Sequence, residues 1–97
     1  MKAVFVACDQ AMYDSVLELM NRLELRGYTG WEELIGCGSK TGDPHLGSHA
    51  WPAMNSALIA VTEDEKAKEF LTELRKLDEE NSNQGLRAFA WNVSEAM

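Results

Sequence analysis

Two short apolar runs constrain the fold of this 97-residue chain more than any other feature. Residues 3–8 and residues 56–61 are almost continuously apolar, a pattern that is typical of strands buried on both faces of a sheet. A segment with apolar residues at helical spacing follows each run. The chain therefore contains two strand–helix units.

The two helical segments carry start and stop signals. Asp9 is expected to cap the first helix, and Gly27 supplies its stop. Thr62 and Glu65 match a capping box for the second helix, which is expected to run to about Glu80. The predicted apolar stripes consist of Met12, Val16, Leu17, Met20 and Leu23 in the first helix and Ala67, Phe70, Leu71, Leu74 and Leu77 in the second.

Two alternating segments, residues 28–35 and residues 86–93, predict a second and a fourth strand. The residues expected on one face are Thr29, Trp31 and Ile35 in the second strand and Arg87, Phe89 and Trp91 in the fourth. The order βαββαβ predicts one α+β domain over residues 1–97, a ferredoxin-like sandwich with two helices on one face of an antiparallel four-stranded sheet. Right-handed crossovers place the first and third strands at the centre.

The predicted sheet has an apolar face that the helices leave uncovered. Val4 and Val6 alternate with Phe5 in the first strand, and Leu58 is followed by Ile59 in the third. Both faces of the central strands are therefore apolar, although the two helices can cover only one. Self-association would bury the other face, so the pattern predicts a homo-oligomer without fixing the number of subunits.

Charge and cysteine content exclude several classes of protein. The formal net charge of −7, from 9 basic and 16 acidic residues, argues against nonspecific binding to nucleic acid and to anionic membranes. No signal peptide and no segment of transmembrane length is visible, so membrane insertion is not expected. Cys8 and Cys37 make no disulfide framework, and we expect a cytoplasmic protein with reduced thiols.

The connection between the second and third strands, residues 36–55, is unusually long. It holds four of the seven glycines, both prolines and both histidines of the chain. A connection of this length in a small domain is usually functional or disordered, and specific side chains such as His45, His49 and Trp51 favour a functional loop.

The long loop and its flanks resemble the PII signalling proteins, and more narrowly a PII-like branch encoded beside RND-type heavy-metal-efflux transporters. The segments that carry this resemblance are Gly36-Cys37-Gly38, Trp31-Glu32-Glu33, Gly42-Asp43-Pro44-His45-Leu46-Gly47-Ser48-His49, Trp51-Pro52, Asn55-Ser56 and Ala88-Phe89-Ala90-Trp91-Asn92. The resemblance implies a homotrimer, ligands in the clefts between subunits, and a T-loop that engages a transporter or an enzyme.

The chain departs from the PII pattern where PII proteins hold ATP phosphates with a glycine-rich stretch. Residues 81–87 contain one glycine and one basic residue, so ATP sensing is not carried over. The glutamine that contacts 2-oxoglutarate and the modified tyrosine of the PII loop are also missing. The ligand therefore stays open between a metal ion and an adenine nucleotide. The candidate ligand-binding residues are Gly36, Gly38, Lys40, Trp51 and Arg87.

A metal site in the long loop is an alternative interpretation. Cys37, His45 and His49 could supply one thiolate and two imidazoles, a ligand set that suits zinc or copper. Their spacing is not diagnostic, and the histidines could instead hydrogen-bond across a subunit interface. In this alternative the chain is a metal-binding protein that confers metal tolerance.

A small ferredoxin-fold enzyme is a further alternative. No segment pairs a nucleophile with a base, and Glu32 and Glu33 are expected on opposite faces of a strand. We therefore expect a trimeric regulator without enzymatic activity, which senses a small ligand or metal ion. Its long loop would modulate a membrane transporter, as the resemblance to the RND-associated branch implies.

Overall fold

A computed structural model describes residues 1–37, 44, 46–47, 54–81 and 85–97 of the chain. The strands are β1 (Lys2–Asp9), β2 (Tyr28–Leu34), β3 (Asn55–Thr62) and β4 (Arg87–Asn92), and the helices are α1 (Tyr13–Arg22) and α2 (Asp64–Glu80). All strand pairs are antiparallel, and the sheet order is β2-β3-β1-β4. The predicted ferredoxin-like fold is confirmed, with the two most apolar runs at the centre of the sheet.

The core lies between the helices and one face of the sheet. Val4, Val6 and Cys8 of β1 are at most 1% exposed, and Val16 of α1 and Phe70 of α2 are fully buried. Burying a side chain of this size contributes about 1.5–3 kcal/mol. The predicted apolar stripes of both helices are confirmed, since their residues are buried or packed against this core.

Asp9 caps the first helical segment as predicted, but that segment begins with a 3-10 turn. Asp9 Oδ1 accepts a hydrogen bond from the Ala11 N–H at 2.8 Å, as an N-cap does. The helix that it caps is a single 3-10 turn, Gln10–Met12, which leads into α1. Asp9 therefore joins the end of β1 to the start of the helical segment.

The end of α1 comes earlier than the predicted stop at Gly27. The helix ends at Arg22, and Glu24 adopts a left-handed conformation with φ of 58°. The Leu25 N–H then donates to the Met20 carbonyl at 2.9 Å, the long bond of a Schellman motif. Leu25 is 5% exposed, and its burial offsets the roughly 1–2 kcal/mol that a left-handed non-glycine residue costs.

The capping box predicted for α2 is wrong. Thr62 is the last residue of β3, where it pairs with Lys2, so it is not available as a helix cap. The helix begins at Asp64, after Glu63, and no side chain caps its first turn. No helix in the described part of the chain is both long and apolar enough to span a membrane.

A register shift interrupts the pairing of β2 with β3. Trp31 lies opposite Ala57, whereas Leu34 lies opposite Asn55, so two residues of β2 share the single position of β3 between them. This arrangement is a β-bulge, which bends the strand and increases its local twist.

The bulge overturns two expectations about β2. Ile35 lies beyond the end of the strand and does not continue the face that carries Trp31. Glu32 and Glu33 form the bulge, so the strict alternation that was expected to separate them does not apply there.

The face of the sheet opposite the helices carries large apolar side chains. Phe5 of β1 lies between Ile59 and Phe89 in one row across the sheet. Phe89 is 60% exposed and Trp91 is 47% exposed, and no described element covers either of them. The central strands are thus apolar on both faces, as predicted, and we call this uncovered surface the open face.

The side chain of Tyr13 in α1 packs against Gly30 of β2. This side chain is buried, and its hydroxyl lies where a Cβ on Gly30 would be. Gly30 therefore gives the phenol room beside the strand, whereas Gly27 has open space around it.

We expect Gly30→Ala to lower the free energy of unfolding by about 1–3 kcal/mol, because its methyl group would overlap the Tyr13 hydroxyl. Tyr13→Phe in the same chain should restore most of that loss. Denaturant unfolding measures both changes, and Gly27→Ala is the matched control. Equal losses for the two glycine variants, or no recovery with Tyr13→Phe, would contradict this packing.

The buried thiol of Cys8 gives the fold a pH dependence. Burial, with a smaller contribution from Asp9, raises the pKa of Cys8 from 9.0 to about 11. The folded chain therefore holds the thiol proton more tightly than the unfolded chain does. This contribution to stability is complete below pH 9 and is lost as the pH rises to about 11.

We expect the free energy of unfolding of the wild type to fall more steeply between pH 9 and pH 11 than that of Cys8→Ala. Thermal or denaturant unfolding across this range measures the difference. Cys37→Ala removes an exposed thiol and should retain the wild-type slope. Parallel curves for wild type and Cys8→Ala would show that the thiol does not contribute.

Candidate functional site

All four strands have one terminus at the same end of the sheet. Because the strands are antiparallel, β1 and β2 end where β3 and β4 begin. Asn55 lies opposite both Asp9 and Leu34, and Arg87 lies opposite Ala7. We call this end of the sheet the loop end, since the long loop leaves β2 and enters β3 here.

The two segments that connect the sheet to the long loop, residues 32–37 and residues 54–56, are its legs. The Glu32 carbonyl accepts hydrogen bonds from Ser56 Oγ at 2.6 Å and from Gln10 Nε2 at 2.9 Å. The Gln10 N–H also donates to the Met54 carbonyl at 3.0 Å. The two legs are therefore bonded to each other through Ser56, and the turn after β1 is bonded to both of them through Gln10.

Two glycines allow close packing at the legs. A Cβ on Gly36 would overlap the side-chain amide of Asn55. Gly47 has φ of 62° and lies against the sulfur of Met54, so the described part of the long loop returns to its second leg. Gly36 therefore has a packing reason for lacking a side chain, and its predicted ligand contact stays a prediction.

Arg87 stands at the loop end on the open face. It occupies one end of a row that continues through Ala7 and Ala57 to Trp31. Ala7 and Ala57 thus lie between the guanidinium and the half-exposed indole in this row. Arg87 Nη1 donates to the Leu86 carbonyl at 2.9 Å, and a guanidinium has further N–H donors for an anion.

Two titratable groups in the core at this end stay protonated at neutral pH. Burial raises the pKa of Tyr13, with smaller contributions from Tyr28, Glu32 and Cys8. Burial likewise raises the pKa of Cys8 to about 11. Neither group supplies a phenolate or a thiolate near pH 7. The described polar groups at this end are therefore hydrogen-bonding groups, the Arg87 guanidinium and the side chains of Asp9, Glu32 and Glu33.

Most of the predicted site residues lie outside the described residues, namely Gly38, Lys40, His45, His49 and Trp51. Cys37 is exposed at the end of the first leg. Within the described residues, no cluster of three or more His, Cys, Asp or Glu side chains could hold a metal ion. The metal set of Cys37, His45 and His49 stays a prediction.

Sequence reasoning missed the residues that organise the legs. Ser56 could have been noticed, because it shares the helix-facing side of β3 with Leu58 and Ala60 and is a polar residue at a core position. Gln10 follows a capping residue and belongs to no apolar pattern, so no signal in the sequence indicated its role.

Sequence comparison identifies the family of the chain. The profile of nitrogen regulatory protein P-II matches residues 1–97. No curated protein matches the chain significantly.

Solved structures share the fold. A protein described as a PII-like signalling protein of Thermus thermophilus is 25% identical, with a TM-score of 0.69 over 95% of this chain and 85% of that chain. CPII, a nitrogen regulatory PII-like protein of Thiomonas intermedia, is 18% identical in the structure bound to ADP, AMP and bicarbonate. Its TM-score is 0.76 over 95% of this chain and 84% of that chain. The structure of CPII bound to ADP and bicarbonate gives a TM-score of 0.75 at 17% identity, over the same shares of the two chains.

The profile match over the whole chain and the shared fold agree with each other, and neither of them reports a link to RND-type transporters. The chain therefore belongs to the nitrogen regulatory protein P-II family of regulatory proteins.

Proposed function

We propose that this chain is a homotrimeric regulator that binds a small anionic ligand at the loop end and acts on a partner protein through its long loop. The observation that carries the proposal is that the open face, the legs of the loop and Arg87 meet at the loop end of the sheet. A ligand held at that end would lie beside both the subunit contact and the loop.

The open face supports the trimer. Phe89 and Trp91 are about half exposed or more in the isolated chain, and Phe5 and Ile59 lie beside Phe89 in the same sheet. A continuous apolar surface of this kind marks an interaction site. In a closed trimer each open face would pack against its neighbours, and each loop end would lie at a subunit boundary.

The guanidinium of Arg87 supports an anionic ligand. Arg87 presents a guanidinium there, a group that binds phosphate and carboxylate oxygens in pairs. CPII has been solved with bound ADP, AMP and bicarbonate, which are all anions. We therefore propose an adenine nucleotide or bicarbonate as the ligand, with Gly36, Gly38, Lys40 and Trp51 as further contacts.

The long loop is the proposed contact with a partner. Through the resemblance to the RND-associated branch, we propose a metal-efflux transporter, reached from the cytoplasm. The exposed thiol of Cys37 at the end of the first leg favours a second candidate, in which metal binding by Cys37, His45 and His49 is the signal.

We expect the wild type to be a trimer in solution and Phe89→Glu to be a monomer. A carboxylate buried without a partner in a subunit contact would cost about 3–5 kcal/mol. Light scattering coupled to size-exclusion chromatography measures the mass. Thr72→Glu adds the same charge on the exposed side of α2 and should leave the trimer intact. A monomeric wild type would exclude the proposed assembly.

We expect ADP, AMP or bicarbonate to bind the wild type and to bind Arg87→Gln roughly tenfold to hundredfold more weakly, because a charge-assisted hydrogen bond is lost. Calorimetric titration measures this change. Arg22→Gln removes an arginine at the C-terminal end of α1 and is the control.

The same titration separates the two proposed signals. Zn²⁺ or Cu⁺ binding that disappears in His45→Ala/His49→Ala would favour the metal-responsive candidate. Anion binding unaffected by Arg87→Gln would remove Arg87 from the site, and a wild type that binds neither anions nor metals would reject the sensing function.

A further inference from the structure

A single residue contacts both legs of the long loop. The Gln10 N–H donates to the Met54 carbonyl at 3.0 Å on the second leg. Its side-chain Nε2 donates to the Glu32 carbonyl at 2.9 Å on the first leg. Gln10 belongs to neither leg, since it lies in the 3-10 turn that follows β1.

The acceptor on the first leg is the carbonyl of the β-bulge. Glu32 and Glu33 together stand opposite Ser56, so regular ladder pairing is interrupted here. Ser56 Oγ donates to the same carbonyl at 2.6 Å, and Ser56 is fully buried. A carbonyl oxygen has two lone pairs, and these two donors satisfy both.

The position of Gln10 is itself fixed from the other side. Asp9 Oδ1 accepts from the Ala11 N–H at 2.8 Å, which holds the turn in which Gln10 lies. Tyr13, three residues later, packs beside Gly30 of β2. The turn and Tyr13 therefore touch β2 at two points and the residue before β3 at one. Together with the direct bond from Ser56 to Glu32, these contacts hold the legs at their observed spacing.

We propose that Gln10 is a positioning residue for the long loop: by holding the Glu32 and Met54 carbonyls, it fixes the separation of the legs in the conformation that binds ligand. This inference rests on the proposed function, because it assigns the legs to a ligand site. Gln10 need not touch the ligand. It acts through the carbonyls, and the fraction of chains with correctly spaced legs sets the apparent affinity.

The test uses variants that differ in whether the side chain at position 10 can donate a hydrogen bond to the Glu32 carbonyl. Gln10→Met keeps the length of the side chain and the backbone N–H but removes the Nε2 donor. Gln10→Lys keeps a donor that can reach the Glu32 carbonyl. Asn21→Leu replaces an exposed amide on α1 with an apolar side chain and is the matched control.

Hydrogen exchange of the unliganded protein gives the first readout. We expect peptides covering residues 30–37 and 54–60 to exchange roughly two- to tenfold faster in Gln10→Met, as expected for one lost hydrogen bond. Peptides of α2 should exchange as in the wild type. Gln10→Lys should restore most of the protection, and Asn21→Leu should leave both legs unchanged.

Ligand affinity gives the second readout. We expect the dissociation constant of ADP, AMP or bicarbonate to rise in Gln10→Met by a factor similar to the increase in the exchange rate of the leg peptides. Gln10→Lys should bind the same ligands with an affinity close to that of the wild type. Unchanged exchange at the legs would overturn the proposal, and so would faster exchange with unchanged affinity. If the wild type binds none of these anions, the proposed function fails, while the exchange data still decide whether Gln10 holds the legs.

Discussion

In the described part of the chain, the two helices cover one face of the four-stranded sheet and leave the other face uncovered. The central strands β1 and β3 supply apolar side chains to both faces, so Val4, Val6 and Leu58 build the core while Phe5 and Ile59 lie on the open face. The hydrophobic effect favours removing this second face from water as well. The proposed assembly would thus follow from the same two runs that define the fold, and the proposed site lies at the border of that surface.

The architecture could be predicted because it depends on periodic burial. Two apolar runs, two helical stripes and right-handed crossovers are sufficient to give the strand order β2-β3-β1-β4. The local boundaries were predicted less well, since competing interactions decide them. Thr62 pairs with Lys2 instead of capping α2. Helix α1 ends at Arg22, with Glu24 as the left-handed residue and Leu25 buried, although Gly27 was the better turn residue.

The candidate site was predictable only in its location. The long loop, its exit at Gly36 and the face of Arg87 follow from strand order and alternation. The bulge at Glu32 does not, because a register shift arises from two strands together and leaves no mark in either one. Gln10 contacts main-chain carbonyls, and any residue has a carbonyl, so its partners could not be identified from side-chain chemistry.

The β-bulge also affects the direction in which the first leg leaves the sheet. Antiparallel strands twist about each other, and an extra residue in one of them increases that twist locally and turns its end away from the mean plane of the sheet. β2 ends at Leu34, one residue after the bulge, so the direction in which residues 35–37 leave the sheet depends on this bend. Substitutions at residues 38–53 leave the two bulge residues in place, and we expect the base of the loop to keep its bend whichever side chains the loop carries.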